Sequence, residues 1–92
     1  MDELKSIRSF VKVVEAGSFA EAARQEGIAK SVITKRINQL ESHMEMELLQ
    51  RSTRKMSLTD TGANFYERCV KIVGDLDNAK SAVSTMEWGL SG

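Results

Sequence analysis

Residues 18–41, SFAEAARQEGIAKSVITKRINQLE, constrain the fold more than any other stretch of the chain. Ser18 followed three residues later by Glu21 is a capping box, in which hydroxyl and carboxylate satisfy the free amides of a helix start. A helix is therefore predicted from Phe19, with Phe19, Ala22 and Ala23 forming a small apolar face that admits another helix closely. Gly27 stops it, because glycine reaches the left-handed conformation without steric cost, and Ile28 fills the corner. In the next helix Ile33, Ile37, Leu40 and Met44 are spaced four, three and four residues apart, which is one side of a helix. Lys30, Ser31, Thr34, Lys35 and Asn38 are left facing outward, with Arg36 and Gln39 on the flanks. Two short helices about a tight turn, the second oily inside and polar outside, make a helix-turn-helix, whose second helix lies in the DNA major groove.

Charge supports that reading. Between Ala29 and Gln39 stand the cations Lys30, Lys35 and Arg36 and no acid, although Glu21, Glu26 and Glu41 lie just outside. A merely solvated helix usually mixes both signs. Over all 92 residues, 13 cations balance 13 anions, which argues against coating nucleic acid by bulk charge. A specific reader needs only a basic face. The same neutrality keeps a competing reading open, a winged-helix protein–protein interaction module without DNA binding.

The chain is long enough for one core but not for a core plus a buried active-site cleft. A lone cysteine excludes an intrachain disulfide, and one histidine with one cysteine cannot build a four-ligand zinc site. His43, near the end of its helix, suits the helix dipole when protonated, and Cys69 falls in an apolar stripe as packing. No glycine-rich phosphate loop appears. No enzyme activity, cofactor or metal is expected. Without a signal peptide, lipidation motif or apolar run near eighteen residues, the chain is expected in a reducing cytoplasm and not at a membrane.

In chain order, helix one is predicted over Leu4 to Ala16, with Leu4, Ile7, Phe10, Val11 and Val14 apolar, and Lys5, Arg8, Lys12 and Glu15 wet. Gly17 ends it. After helix three, Leu48 and Leu49 re-enter the core, and two brief antiparallel strands are predicted at Leu49 to Arg51 and Met56 to Leu58. The loop between them, with Arg51, Arg54 and Lys55 and no acid, is a basic wing whose arginine can enter a minor groove. Thr59 caps the fourth helix, Asp60 complements its positive end, and Gly62 in its first turn is read as room for close packing.

Along that helix Phe65, Cys69, Ile72, Leu76, Ala79, Val83 and Met86 alternate four and three residues apart, the repeat of a seam with another helix. Tyr66, Val70 and Val73 form a second stripe for the domain's own core. Packing within the molecule could use the first half of the seam, but from Leu76 onward it extends past anything so small a domain can bury, so a homodimer through helix four is expected. From Phe65 to Met86 the helix spans roughly 33 Å at about 1.5 Å per residue. Successive major grooves on one side of a duplex lie about 34 Å apart, so a two-fold symmetric site is expected. Trp88 to Gly92 has two glycines and no periodicity, and reads as a hinge.

The succession VVEAGSFAEAAR, SVITKRINQLE, LLQRSTRKMSLTDTG and a long helix resembles the amino-terminal domain of LysR-type transcriptional regulators, from about Met1 to Val83. AGSFAEAA at 16–23 together with RSTRKMSLTDTG at 51–62 makes the match specific. The resemblance implies a bacterial, mainly α protein, a winged helix-turn-helix of three helices and a two-stranded wing over residues 1–59. A linker and dimerisation helix follows over 60–87 and a hinge over 88–92. It implies transcriptional regulation by a homodimer bound to a palindromic double-stranded promoter site. It also implies a small-molecule effector that acts through a C-terminal domain expected to lie outside this chain, a truncated DNA-binding module. Carried over by position, recognition-helix contacts fall on Lys30, Ser31, Thr34, Lys35 and Arg36, a phosphate contact on Ser18, and wing contacts on Arg51, Thr53 and Arg54. Lys55 adds a phosphate contact by its charge. The chain departs from the family pattern at Ala29 and Lys30, where a serine or threonine cap and a proline are common. Either Ala29 caps helix three, or Ser31 takes over and shifts its start. Thr34 and Lys35 stand where serine and arginine are usual, and Glu45 where a glycine commonly follows the helix.

Overall fold

The computed structural model describes residues 1–51 and 56–91, side chains included as far as Ser84. Four helices and a small antiparallel ribbon follow one another as α1 (Glu3–Ala16), α2 (Phe19–Glu26), α3 (Lys30–Met44), β1 (Leu49–Gln50), β2 (Ser57–Leu58) and α4 (Asp60–Ser91). This is a winged helix-turn-helix continued into a long helix. No helix among the described residues is long and apolar enough to cross a membrane.

Each helix boundary has a local cause. Asp2 caps α1 by accepting from the Lys5 amide at 3.0 Å, and Gly17 ends it at φ +85°. Ser18 caps α2 by accepting from the Glu21 amide at 3.1 Å. The Glu21 carboxylate, expected to complete the capping box, is instead taken by Arg24 and Gln25. Those two bonds, Arg24 first, draw the carboxyl down to about 2. Gly27 closes α2 at φ +69°, and the Ile28 amide reaches back to the Ala23 carbonyl at 3.1 Å.

The open question at the start of α3 is resolved in favour of Ala29. It holds the cap position with extended backbone and no side-chain bond, and the helix starts at Lys30, leaving Ser31 inside it. At the other end Glu45 adopts the left-handed conformation at φ +54° that a glycine would occupy freely. Its amide still closes the helix on the Glu41 and Ser42 carbonyls. Glu45→Gly is accordingly expected to stabilise the domain by about 0.5–1 kcal/mol, read as a higher denaturant midpoint at unchanged slope. A lower midpoint would show that Glu45 makes an interaction worth more than its strain.

The core is one cluster in which Ile33, Ile37 and Leu40 of α3 meet Phe10 and Val13 of α1, Ala22 and Ala23 of α2, Leu48, Leu49 and Cys69. The Phe10 ring packs 5.7 Å from Phe65 and edge-on to Tyr66 at 6.4 Å, which fastens α4 to α1. Two stripe positions come out differently from expectation. Leu4, in the first turn of α1, overshoots the core and is exposed, while Val13 takes the inward place. Val70 is also exposed, because α4 is covered by α1 on one side only.

The ribbon pairs Leu49 with Leu58 and Gln50 with Ser57, so each strand is two residues long rather than three. Arg51 and Met56 lie outside it, and residues 52–55 fall outside the described part of the chain. Thr59 joins ribbon to helix as predicted. Its hydroxyl donates to the Glu47 carbonyl at 2.7 Å and accepts from the Gly62 amide at 2.9 Å. The helix α4 continues through residues 88–91, which were expected to form a hinge. That segment contains no proline, and one interior glycine weakens a helix by about 1 kcal/mol without ending it.

Candidate nucleic-acid interface

The turn at Gly27 sets α3 across the domain with its apolar side sealed. Ile33 and Ile37 are completely buried and Leu40 nearly so. Ser31, Lys35 and Asn38 are exposed on the opposite side, Val32 and Gln39 on a flank, and Lys30 at the first position of the helix. Lys35 and Ser31 lie near the centre of the opposite side, directly across from the core residues by helical spacing. Thr34 is half-buried on one flank, and its hydroxyl donates to the Lys30 carbonyl at 3.1 Å, so its proton is used inside the helix.

Arg36, expected among the recognition-helix contacts, is turned toward the protein in this structure. Its guanidinium donates to the Ser9 hydroxyl at 3.1 Å and stands 3.7 Å from the Glu26 carboxylate. It occupies the flank of α3 that faces α1, where a long cation finds partners before it finds solvent. Arg36 therefore ties α1, α2 and α3 together. Buried Ser9, which the apolar pattern of α1 left unexplained, is the other half of that tie.

A second charged cluster fixes the wing root to α3. Glu41 accepts from the Leu48 amide at 2.8 Å and the Leu49 amide at 3.3 Å through one oxygen, and from Arg51 at 2.7 Å through the other. Arg51 also donates to the Asn38 side chain and lies over the Phe19 ring, 5.4 Å from its centroid. Arg51, predicted as a wing contact, thus has three partners within the protein. Glu41 was missed as a structural residue. Its signal was faint, an acid bordering a basic window and seven residues ahead of the apolar pair Leu48–Leu49.

Of the remaining predicted contacts, Ser18 is half-buried at the start of α2, with its hydroxyl proton still free of its capping role. Thr53, Arg54 and Lys55 lie outside the described residues.

On α4 the predicted seam divides. Cys69 is fully buried in this chain's own core, so it has no surface left for a partner, and burial pushes its thiol up to about 11. Phe65 is half-buried against Phe10. Ile72, Ala79 and Val83 are exposed and Leu76 is half-buried, while the Met86 side chain lies outside the described part. Arg8, expected to be solvated, bonds Asp77 at 2.8 Å, and this bond holds the Asp77 carboxyl below its usual range. The pair braces the middle of α4 against α1.

The family model described as "Bacterial regulatory helix-turn-helix protein, lysR family" matches residues 4–63. An uncharacterized HTH-type transcriptional regulator of Haemophilus influenzae is 42% identical over 92 residues, all of this chain and 32% of that protein. An HTH-type transcriptional regulator of Xanthomonas campestris pv. campestris is 39% identical over 90 residues, 98% of this chain and 26% of its own length. The chain thus spans between a quarter and a third of the length of these two curated relatives. Among solved structures, the BenM DBD in complex with catB site 1 DNA superposes with a TM-score of 0.90 at 32% identity, covering 97% of this chain and 95% of that one. With more than half of its residues matched by the family model and its architecture shared with that domain, this chain belongs to the lysR family of bacterial regulatory helix-turn-helix proteins.

Proposed function

We propose that the chain binds duplex DNA sequence-specifically as a homodimer and so regulates transcription in the cytoplasm, without catalysis. The observation that carries this reading is the outer side of α3. Lys35 and Ser31 stand exposed opposite a sealed core, in a window with no acid between Ala29 and Gln39. The likeness to a domain solved on DNA supports it. In this arrangement α3 enters the major groove, Lys35 and Ser31 reach base edges, and Thr34 approaches from the flank. Lys30 and Ser18 meet phosphate, which fixes register without reading sequence. The wing, with Thr53, Arg54 and Lys55, is assigned to backbone and minor groove on its charge. Arg36 and Arg51 hold the reader in shape.

Dimerisation is assigned to α4. Ile72, Leu76, Ala79 and Val83 form an apolar line that this chain leaves open to water in whole or in part, and Phe65 and Met86 lie on the same repeat. Two such helices laid antiparallel would hold two heads on one face of a duplex, at a palindromic site. A small-molecule effector would act through a portion of the protein beyond this chain.

Selection of bound duplexes from a random pool tests reader and dimer together. Recovered sites are expected to contain two inverted half-sites whose centres are one or two helical turns apart. On a panel of variants of that site, Lys35→Ala should lose roughly 1–3 kcal/mol of discrimination at one base step. Lys55→Ala should weaken every duplex alike and reduce the salt slope by about one unit. If both substitutions act identically across the panel, the division of roles is wrong. If no duplex is retained even at low salt, the domain is a protein-interaction module.

A further inference from the structure

Val32 is the exposed large apolar side chain of α3, 38% accessible, on the flank toward α1 of a helix whose core side is already filled by Ile33, Ile37 and Leu40. It occupies the third helical position, in the N-terminal part of the helix, the part that such motifs present to base edges. Lys35 and Arg36 follow it by three and four residues, so one turn of helix sets Val32 beside the central cation of the reading face. With Lys5, Lys35 and Gln39 it lines a shallow groove between the first turn of α1 and α3. Three cations, Lys5, Lys35 and Arg36, line this groove against one acid, Asp2, so the isopropyl group is an apolar point inside a mostly basic surface.

Among the groups that a duplex displays in its major groove, one is apolar, the C5-methyl of thymine. Valine also suits a fixed contact, since branching at Cβ holds its side chain largely in a single rotamer within a helix. Side chains three residues apart on a helix are about 5–6 Å apart at Cβ, which spans between one and two base steps. We infer that Val32 reads the methyl group of a thymine lying within two steps of the base contacted by Lys35. This rests on the DNA-binding reading above and adds to it a residue of defined base preference.

The test uses the duplex recovered by selection, with each thymine of one half-site replaced singly by deoxyuridine, which lacks only the methyl group. The wild-type protein should lose affinity about fourfold at one such position, the factor for one methyl withdrawn from apolar contact. Val32→Ala should bind the unmodified duplex more weakly by at least a similar factor and show no further loss with uracil at that position. Its thermal midpoint should stay close to wild type, because the side chain lies outside the core. Uracil that costs nothing at any position overturns the inference, as does a Val32→Ala protein that keeps the full uracil sensitivity. Both results leave DNA binding itself intact. Failure to retain any duplex would remove the underlying reading and this one with it.

Discussion

Gly62→Ala is expected to destabilise the domain by about 3 kcal/mol, where helix propensity alone predicts a gain of about 1 kcal/mol. The sign is decided by Leu48. A Cβ at position 62 would fall 1.9 Å from the Leu48 carbonyl oxygen and 2.8 Å from its carbonyl carbon. Those are backbone atoms and cannot rotate away. The Leu48 carbonyl is held by the Thr59 amide at 3.0 Å, Thr59 in turn bonds the Glu47 carbonyl, and the Leu48 side chain is fully buried. Relief would require moving the entry of β1 off the first turn of α4, opening the core at Leu48 and Leu49. For a domain of this size such a loss lowers the melting temperature by about 12–24 °C. Gly74→Ala supplies the control within the same helix, because nothing lies within 4 Å of its would-be Cβ. That variant should be neutral or more stable by up to about 1 kcal/mol. Equal stabilisation by both substitutions would show that β1 and α4 do not cross as closely as the geometry states.

The contrast between these two glycines shows where sequence reading reaches and where it stops. Gly62 stood out as a cost inside a good helix, which pointed to close packing, but the packing partner is set by the chain crossing at Leu48. The same division runs through the interface. Ile33, Ile37, Leu40 and the exposed Lys35 were legible because a helix of known period must turn one side inward. Ser18, Gly17, Gly27 and Thr59 were legible because their chemistry at helix ends is local. The partners that Arg36 and Arg51 find within the protein were not legible, for one shared reason. Sequence pattern gives the point on a helix or wing from which a long cation starts, whereas its end point depends on which acid or hydroxyl the tertiary fold brings near. Ser9 for Arg36, and Glu41 with Asn38 for Arg51, are distant in sequence or lie on another element. Cys69 carried an ambiguity of another kind. A repeat of 3.5 residues marks an apolar seam but does not say whether the same chain or a second copy fills it, and here α1 fills the first half.

Glu41→Ala is expected to cost a further large amount, about 3 kcal/mol, through a mechanism that differs from overpacking. The carboxylate accepts from two consecutive backbone amides, Leu48 and Leu49, at the point where the chain leaves α3 and enters β1. Both side chains are fully buried, so the segment cannot swing out to let water replace the acceptor. A hydrogen bond to a charged acceptor contributes about 1.5–3 kcal/mol, and amides left without a partner incur their desolvation in full. The ion pair with Arg51 adds little, because that side chain is 38% exposed and such pairs are worth about 0–1 kcal/mol. Arg51→Ala should therefore lose less than about 1 kcal/mol, and the ratio between the two variants separates the sources. Amide exchange at Leu48 and Leu49 should accelerate in Glu41→Ala and stay slow in Arg51→Ala. If the two substitutions destabilise equally, the wing root is held by its ion pair and not by the capped amides. The same pair of proteins bears on DNA binding. Arg51→Ala, with α3 and Lys35 undisturbed, should keep its preference among duplex variants even where affinity falls, because the arginine is assigned here to holding the wing root and not to reading bases.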